Sequence, residues 1–465
     1  MRLSLHSLGY LLLLFIGVAV WWPQLAQQGM YNDGLWYAAI ARNLSEGMGG
    51  WWHPQLSTTF GDFVPHPPLV FWLEGGLFAL LGDHLWVERL YSLLVSVATV
   101  FAIRWLWRTT VRGAAKRWWW LVVALWSVNE VVYNYYPNNL LDCTMALFAL
   151  LSVGLLLRPV TWRNTAGAGL FLILALLAKG PVGLFPLAVP MLRYGCFFGA
   201  ADAKVNWTRA LLQTMALAGM LAVFLGLLWQ FSPGFREFLQ AYYDIQIRGG
   251  LAGEQAYHAR KNRFYILGKL VMLLLPLGIL TGLVWALHTR RLTVSPNYRK
   301  ASLWAFIGLA ASVPLALSPK QTYYYLLAAM PYFYLAAGTL MLPSLVRLVF
   351  PGKTPKYAVL GLVLATLIAS TFTYDSHQRI RGRHQEILPD LQQILPQVPP
   401  GSTMRSDEHH HTLVGYLARL RRVSVDTSRL ATSPYFIGRH PAAVPTGYHE
   451  VPLETRAYRL YRKAN

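Results

Sequence analysis

Tyr31-Asn32-Asp33-Gly34-Leu35-Trp36-Tyr37 follows closely on an apolar run at residues 5–22, and the two stretches together decide the fold. The run is preceded by Arg2 and ended by Trp21-Trp22-Pro23, an interfacial aromatic pair and a breaker. This predicts an uncleaved membrane anchor, since no small-residue cleavage site follows it. A carboxylate at the mouth of such a segment is costly to bury, so Asp33 is solvated, structural or chemical. Leu35, Trp36, Ile40 and Leu44 predict a helix beginning beside it. Asp33 then either caps that helix or serves as a catalytic base. Trp at position 36 rules out the reciprocal capping box, so only a simple cap competes with the catalyst.

Outward from this stretch the chain keeps the anchor's character. Of 465 residues 55% are hydrophobic and 13% charged, which excludes an ordinary soluble protein and predicts a polytopic membrane protein. The 41 Lys and Arg against 20 Asp and Glu give a formal charge of +21. These basic residues fall mostly in short loops between apolar runs, so the positive-inside rule accounts for them and nucleic acid is not expected as a partner.

Apolar runs at 5–22, 85–107, 118–135, 141–157, 167–178, 182–191, 210–231, 264–287, 302–317, 324–340 and 357–372 make about eleven spans. With Arg108, Arg112, Lys116 and Arg117 inside, alternation places the other basic clusters inside as well. The piece at 69–81 is too short to cross and is interrupted by Glu74-Gly75-Gly76, so it reads as interfacial or re-entrant. Cys143 and Cys196 fall at opposite faces, and no disulfide between them is expected. The predicted fold is mainly α. Residues 1–373 form a transmembrane helical bundle with outer loops 24–84 and 232–263 and outer-face juxtamembrane helices. Residues 374–465, polar and interrupted by Pro399-Pro400-Gly401, form a small α/β soluble domain on the outer side.

By this topology Asp33, His66, Asp142, Lys179, His258 and Lys320 all reach the outer face. Polar residues brought to one depth by several spans and two loops describe a site. His66-Pro67-Pro68 holds an imidazole on extended backbone, or else is a simple turn. Asp142 caps a helix or joins the site; Lys179-Gly180-Pro181 snorkels or binds phosphate. The second loop carries Tyr257-His258-Ala259-Arg260, and Ser318-Pro319-Lys320 leads to Tyr323-Tyr324-Tyr325, which on its own reads as an aromatic belt. His409-His410-His411 beside Asp407 and Glu408 reads as solvated surface, because neighbouring residues point apart. No Walker loop, dinucleotide fingerprint or zinc spacing is present.

Taken together these features resemble the C-type membrane glycosyltransferases, in the branch of protein mannosyltransferases and lipid A aminoarabinose transferases. The matching pieces are Asp33 with Tyr37 and Arg42 after it, His66-Pro67-Pro68-Leu69, Asp142 opening a span, Ala178-Lys179-Gly180-Pro181-Val182, and Ser318-Pro319-Lys320 before Tyr325-Leu326. Many members have two acidic residues where this chain has Asp33-Gly34.

The resemblance implies inverting transfer of a monosaccharide from a polyprenyl-phosphate-linked donor to a hydroxyl of a lipid, glycan or protein acceptor. The outer face of a bacterial inner membrane is where it would act. It implies Asp33 and Asp142 as catalytic residues, Lys179, Arg260, Lys320 and His66 at the donor phosphate, and Tyr37, His258 and Tyr325 at the substrate. No cofactor or metal is expected, a divalent cation remaining an option. The competing class is a transporter or flippase of an amphipathic anion, which would show polar residues at mid-span and paired half-sequences.

Overall fold

The computed structural model describes residues 5–197, 206–249, 262–286, 297–349, 383–407, 410–428 and 433–464. The expected last span, 357–372, and the boundary at 374 lie outside them, as do His258, Arg260 and His409.

Helix α1, Leu5–Ile16, continues through a π-helical turn to Ala26. The chain then turns into α2, Asn32–Ser45, whose cap position is Tyr31 in an extended conformation. Asp33 is therefore no cap; it lies within the first turn, where the helix dipole favours a carboxylate. Next come the short apolar α3, Leu69–Leu81, and the long α4, Val87–Thr110. Inside α4 the hydroxyls of Ser92, Ser96 and Thr99 donate to carbonyls four residues back at 2.7–2.9 Å. Their polar groups are thereby satisfied within the helix, as an apolar medium requires.

The run expected as one span at 118–135 is broken. Helices α5, Trp119–Ser127, and α6, Glu130–Tyr135, meet at Asn129. Its Oδ1 accepts from Val131 N at 3.1 Å and its Nδ2 donates to the Tyr334 hydroxyl at 3.0 Å, which satisfies groups released by the break. After a 3-10 turn, Tyr136–Asn138, the chain bends by 108° into α7, Leu141–Leu156. Asn139, at φ 55°, makes the corner.

Helix α8, Trp162–Lys179, returns antiparallel to α7, and the Ser152 hydroxyl donates to Ala168 O at 2.9 Å across the pair. A 3-10 segment, Pro181–Ala188, leads to α9, Val189–Phe197. Then follow α10, Trp207–Phe231, and α11, Pro233–Tyr242, the latter capped by Ser232 with Pro233 at its first position. The bundle continues with α12, Tyr265–Ala286, α13, Tyr298–Ser312, a 3-10 segment, Tyr323–Ala328, and α14, Met330–Val349.

Among the described residues five helices are long and apolar enough to cross a bilayer, and a sixth if the bent α6–α7 pair counts as one span. Several of the other expected crossings are interrupted by 3-10 turns. By this measure the chain is an integral membrane protein. The polar C-terminal unit contains α15, Leu388–Ile394, α16, His411–Arg421, and a sheet of β1 Thr403–Ser406, β2 Ser424–Asp426, β3 Tyr435–Gly438, β4 Tyr448–Glu450 and β5 Arg459–Lys463. The strand order is β2-β1-β3-β5-β4, with β1 parallel to β2 and β3 and the last two strands antiparallel. Helix α16 crosses over from β1 to β2 and packs on α2.

Candidate active site

Four chain segments bring titratable side chains together where the apolar helices end. The first turn of α7 presents Asp142 and the last residue of α8 is Lys179, because the sequence puts each charge just where its apolar run stops. Both are buried, at 2% and 7% exposure, and the Lys179 ammonium donates directly to the Asp142 carboxylate. Lys179 Nζ also lies 4.7 Å from the ring centre of Tyr325 and 5.4 Å from that of Tyr324, a cation–π seat supplied by the Tyr323–Ala328 turn.

Gly180 follows at φ 88°, and a Cβ there would stand 2.3 Å from the Tyr242 hydroxyl. Only glycine permits this approach of the backbone to α11.

A cavity of about 380 Å³ opens beside this pair, lined by His66, Asp142, Met145, Lys179, Gln246, Ser318, Lys320 and Tyr325 among others. Lys320 Nζ is 3.5 Å from Gln246 Oε1, and burial and the neighbouring Lys179 hold its pKa below the ordinary lysine range against the pull of Asp33. Burial, then Lys179 and Lys320, keep the half-buried His66 imidazole well below its usual pKa, so it is neutral at pH 7. The Asp33 carboxylate accepts from the Tyr324 hydroxyl at 2.9 Å, so one tyrosine joins the base candidate to the lysine seat.

A second, larger cavity of about 610 Å³ adjoins the first, sharing Pro181, Tyr242 and Ile247 as wall. Trp52, Leu177, Leu221, Leu225, Trp229, Phe235 and Phe238 line it, and it is almost wholly apolar. Helix α11 forms one side, fixed by Trp52 stacking edge-on to Phe235 at 4.9 Å.

The structure thus brings together His66, Asp142, Lys179, Lys320 and Tyr325, with Asp33 joined through Tyr324. Tyr37 is buried away from the cavity; its ring packs on His66 at 6.0 Å and on Phe71 at 5.7 Å, and so backs the imidazole. His410 is not simply solvated surface: it caps α16 by accepting from Leu413 N at 3.4 Å, while the exposed His411 lays its ring on Trp36 at 4.2 Å.

Sequence reasoning missed Tyr324, Gln246 and the apolar cavity. Phe235, Phe238, Leu239 and Tyr242 behind Ser232-Pro233 show the i, i+3, i+4, i+7 spacing of an amphipathic helix and signalled its wall.

No family model matches the chain, and no curated protein does. Solved structures do. ArnT from Cupriavidus metallidurans bound to undecaprenyl phosphate is 16% identical, covers 97% of each chain and superposes with a TM-score of 0.64. The oligosaccharyltransferase AglB from Archaeoglobus fulgidus, in complex with an inhibitory peptide and a dolichol-phosphate, is 13% identical over 94% of this chain and 69% of its own, with a TM-score of 0.55. Both are C-type membrane glycosyltransferases. This chain has the C-type glycosyltransferase fold.

Beside Asp33 in α2 stands Gly34, and its backbone is closely packed. A Cβ at Gly34 would stand 2.1 Å from the Asn138 carbonyl oxygen. Helix α2 is pressed against the corner that leads into α7, so a side chain at position 34 is excluded and the single carboxylate Asp33 remains.

Proposed function

We propose that this protein is an inverting glycosyltransferase of the bacterial inner membrane. It moves a monosaccharide from a polyprenyl-phosphate-linked donor to an acceptor hydroxyl of a lipid, glycan or protein at the outer face. The observation that carries this reading is the join between the two cavities: a small chamber with two lysines opens beside an apolar one large enough for part of an isoprenoid chain. That is the shape and polarity of an amphiphile with a phosphate head. The neighbour ArnT holds such a molecule, undecaprenyl phosphate.

The outer-face placement is supported by the basic loops: the positive-inside rule assigns them to the cytoplasm, and alternation of the expected spans assigns the chamber residues to the opposite face.

In the reaction Asp33 takes the proton of the acceptor hydroxyl as its oxygen attacks the anomeric carbon from the face opposite the phosphate. The bond from that carbon to the phosphate oxygen breaks, and polyprenyl phosphate leaves with the electron pair. Lys179 and Lys320 stabilise the charge growing on the leaving oxygen; one such contact is typically worth about 2.7–4 kcal/mol in the transition state. Asp142 holds Lys179 in place, Tyr324 orients Asp33, and neutral His66 offers a hydrogen bond to the phosphate or the sugar. Among the described residues no group of three His, Cys, Asp or Glu side chains is arranged to hold a metal ion.

A transporter would need open polar groups at mid-span, whereas the Asn129 amide is taken up by Val131 N at the helix break and by Leu273 O and the Tyr334 hydroxyl of neighbouring helices.

Binding to the full-length protein tests the reading. A polyprenyl phosphate should bind far better than the uncharged polyprenol or inorganic phosphate, and Lys320→Met should remove the advantage over the polyprenol. Equal binding of polyprenol and polyprenyl phosphate to the wild type would sink the assignment of the chamber.

A further inference from the structure

The catalytic helix of this scheme is held from outside the bundle. Helix α2 is pinned on one side by α3, where a Cβ at Gly75 would stand 2.9 Å from the Ala41 carbonyl. Its other side meets α16 of the C-terminal unit. The Trp36 indole donates to His411 O at 2.9 Å, and a Cβ at Gly415 would stand 2.8 Å from the Trp36 ring.

Further along, Arg42, 1% exposed, donates to Ala418 O at 2.9 Å and to Asp83 Oδ2 at 3.2 Å. Arg419, 2% exposed, takes the other oxygen of Asp83 at 2.6 Å and grips Glu88 through two hydrogen bonds of 3.1 and 2.9 Å. Asp83 thus couples an arginine of α2 to an arginine of α16. At the start of α2 the Tyr416 hydroxyl accepts from Met30 N at 3.3 Å, three residues before Asp33.

We propose that the C-terminal unit sets the position of the Asp33 carboxylate, with Trp36, Arg42, Gly415 and Arg419 as positioning residues. This rests on the reading of Asp33 as the base. Among the described residues none that lines the donor chamber comes from the C-terminal unit, so donor binding and base placement are separable. A displacement of about 1 Å in a reacting group is enough to lower turnover by about a hundredfold, and α16 touches α2 one turn away from Asp33.

The test uses the full-length protein in membranes or detergent. Gly415→Ala favours helix over the wild-type glycine but wedges a methyl group against Trp36. Arg419→Lys keeps the charge and loses the fork that joins Asp83 to Glu88.

Each should lower kcat by about 10- to 100-fold, while affinity for a polyprenyl-phosphate sugar stays within about twofold of wild type. Wild-type kcat in Gly415→Ala overturns the inference, as does a parallel loss of kcat and donor affinity, which marks general loosening. Should Arg419→Lys not fold, Gly415→Ala alone decides. An Asp33→Asn protein that still transfers sugar removes the base assignment itself, and this inference with it; an inactive Asp33→Asn beside an unimpaired Gly415→Ala removes only the inference.

Discussion

Lys179 shows how much one residue carries. Its ammonium and the Asp142 carboxylate are both buried, and neither is tolerable there alone. Lys179→Met should therefore cost about 3–5 kcal/mol of stability by stranding Asp142. Lys179→Met with Asp142→Asn should recover most of that in thermal unfolding while still failing to bind donor; equal instability of single and double variants would contradict the pairing. His66 makes a pH prediction. Its folded pKa lies well below the usual 6.5, so the unfolded chain takes up the proton first and stability falls as pH drops below about 6.5. A bound phosphate offsets Lys179 and Lys320 and raises the imidazole pKa, so donor affinity should rise as pH falls through the same window. A sugar phosphodiester donor does not titrate there, and His66→Asn should flatten the slope of affinity against pH. His66, Asp142, Lys179 and Lys320 were legible because each stands at an abrupt end of an apolar run. Tyr324 was not: three consecutive tyrosines read as a belt, and its link to Asp33 spans 291 residues.

At the scale of elements, the helices that matter for chemistry are the interrupted ones. Asn129-Glu130 is the polar interruption of 118–135, but the sequence does not say that the helix breaks there; the Asn129 amide bonded to Tyr334 does. Pro181–Ala188 and Tyr323–Ala328 are likewise 3-10 turns at the start of the expected regular spans 182–191 and 324–340, and the second of them delivers Tyr325 to the chamber. Helix α11 is hard to see in the sequence because the loop it opens is dominated by cations, of which Arg260 lies outside the described residues. Its apolar face makes a separate prediction about the carrier. Leu225→Asn puts an amide into the apolar cavity, and the KM for a long-chain donor should rise at least about tenfold, equivalent to about 1.4 kcal/mol. A donor with a chain too short to reach Leu225 should be unaffected. Kinetics with the two chain lengths check this, and an equal rise for both would move the tail elsewhere.

For the whole molecule, composition and basic loops were enough to identify a polytopic bundle with a polar C-terminal unit, and the order of short motifs was enough to suggest the C-type fold. How the two parts meet was not legible, because Arg419 and Asp83 are 336 residues apart and neither sits in a motif. The contact joins the two parts through the buried Arg42 and Arg419. The central claim is that Asp33 activates an acceptor against a lipid-linked sugar. The most direct measurement is transfer of radiolabelled sugar from polyprenyl-phosphate monosaccharides, in membranes containing wild type or Asp33→Asn, with lipid and protein fractions both extracted. The account predicts label in an acceptor with wild type and none with Asp33→Asn at equal protein abundance. Equal labelling by the two proteins would contradict it, as would no transfer from any donor while lipid-linked sugar crosses the bilayer independently of Asp33.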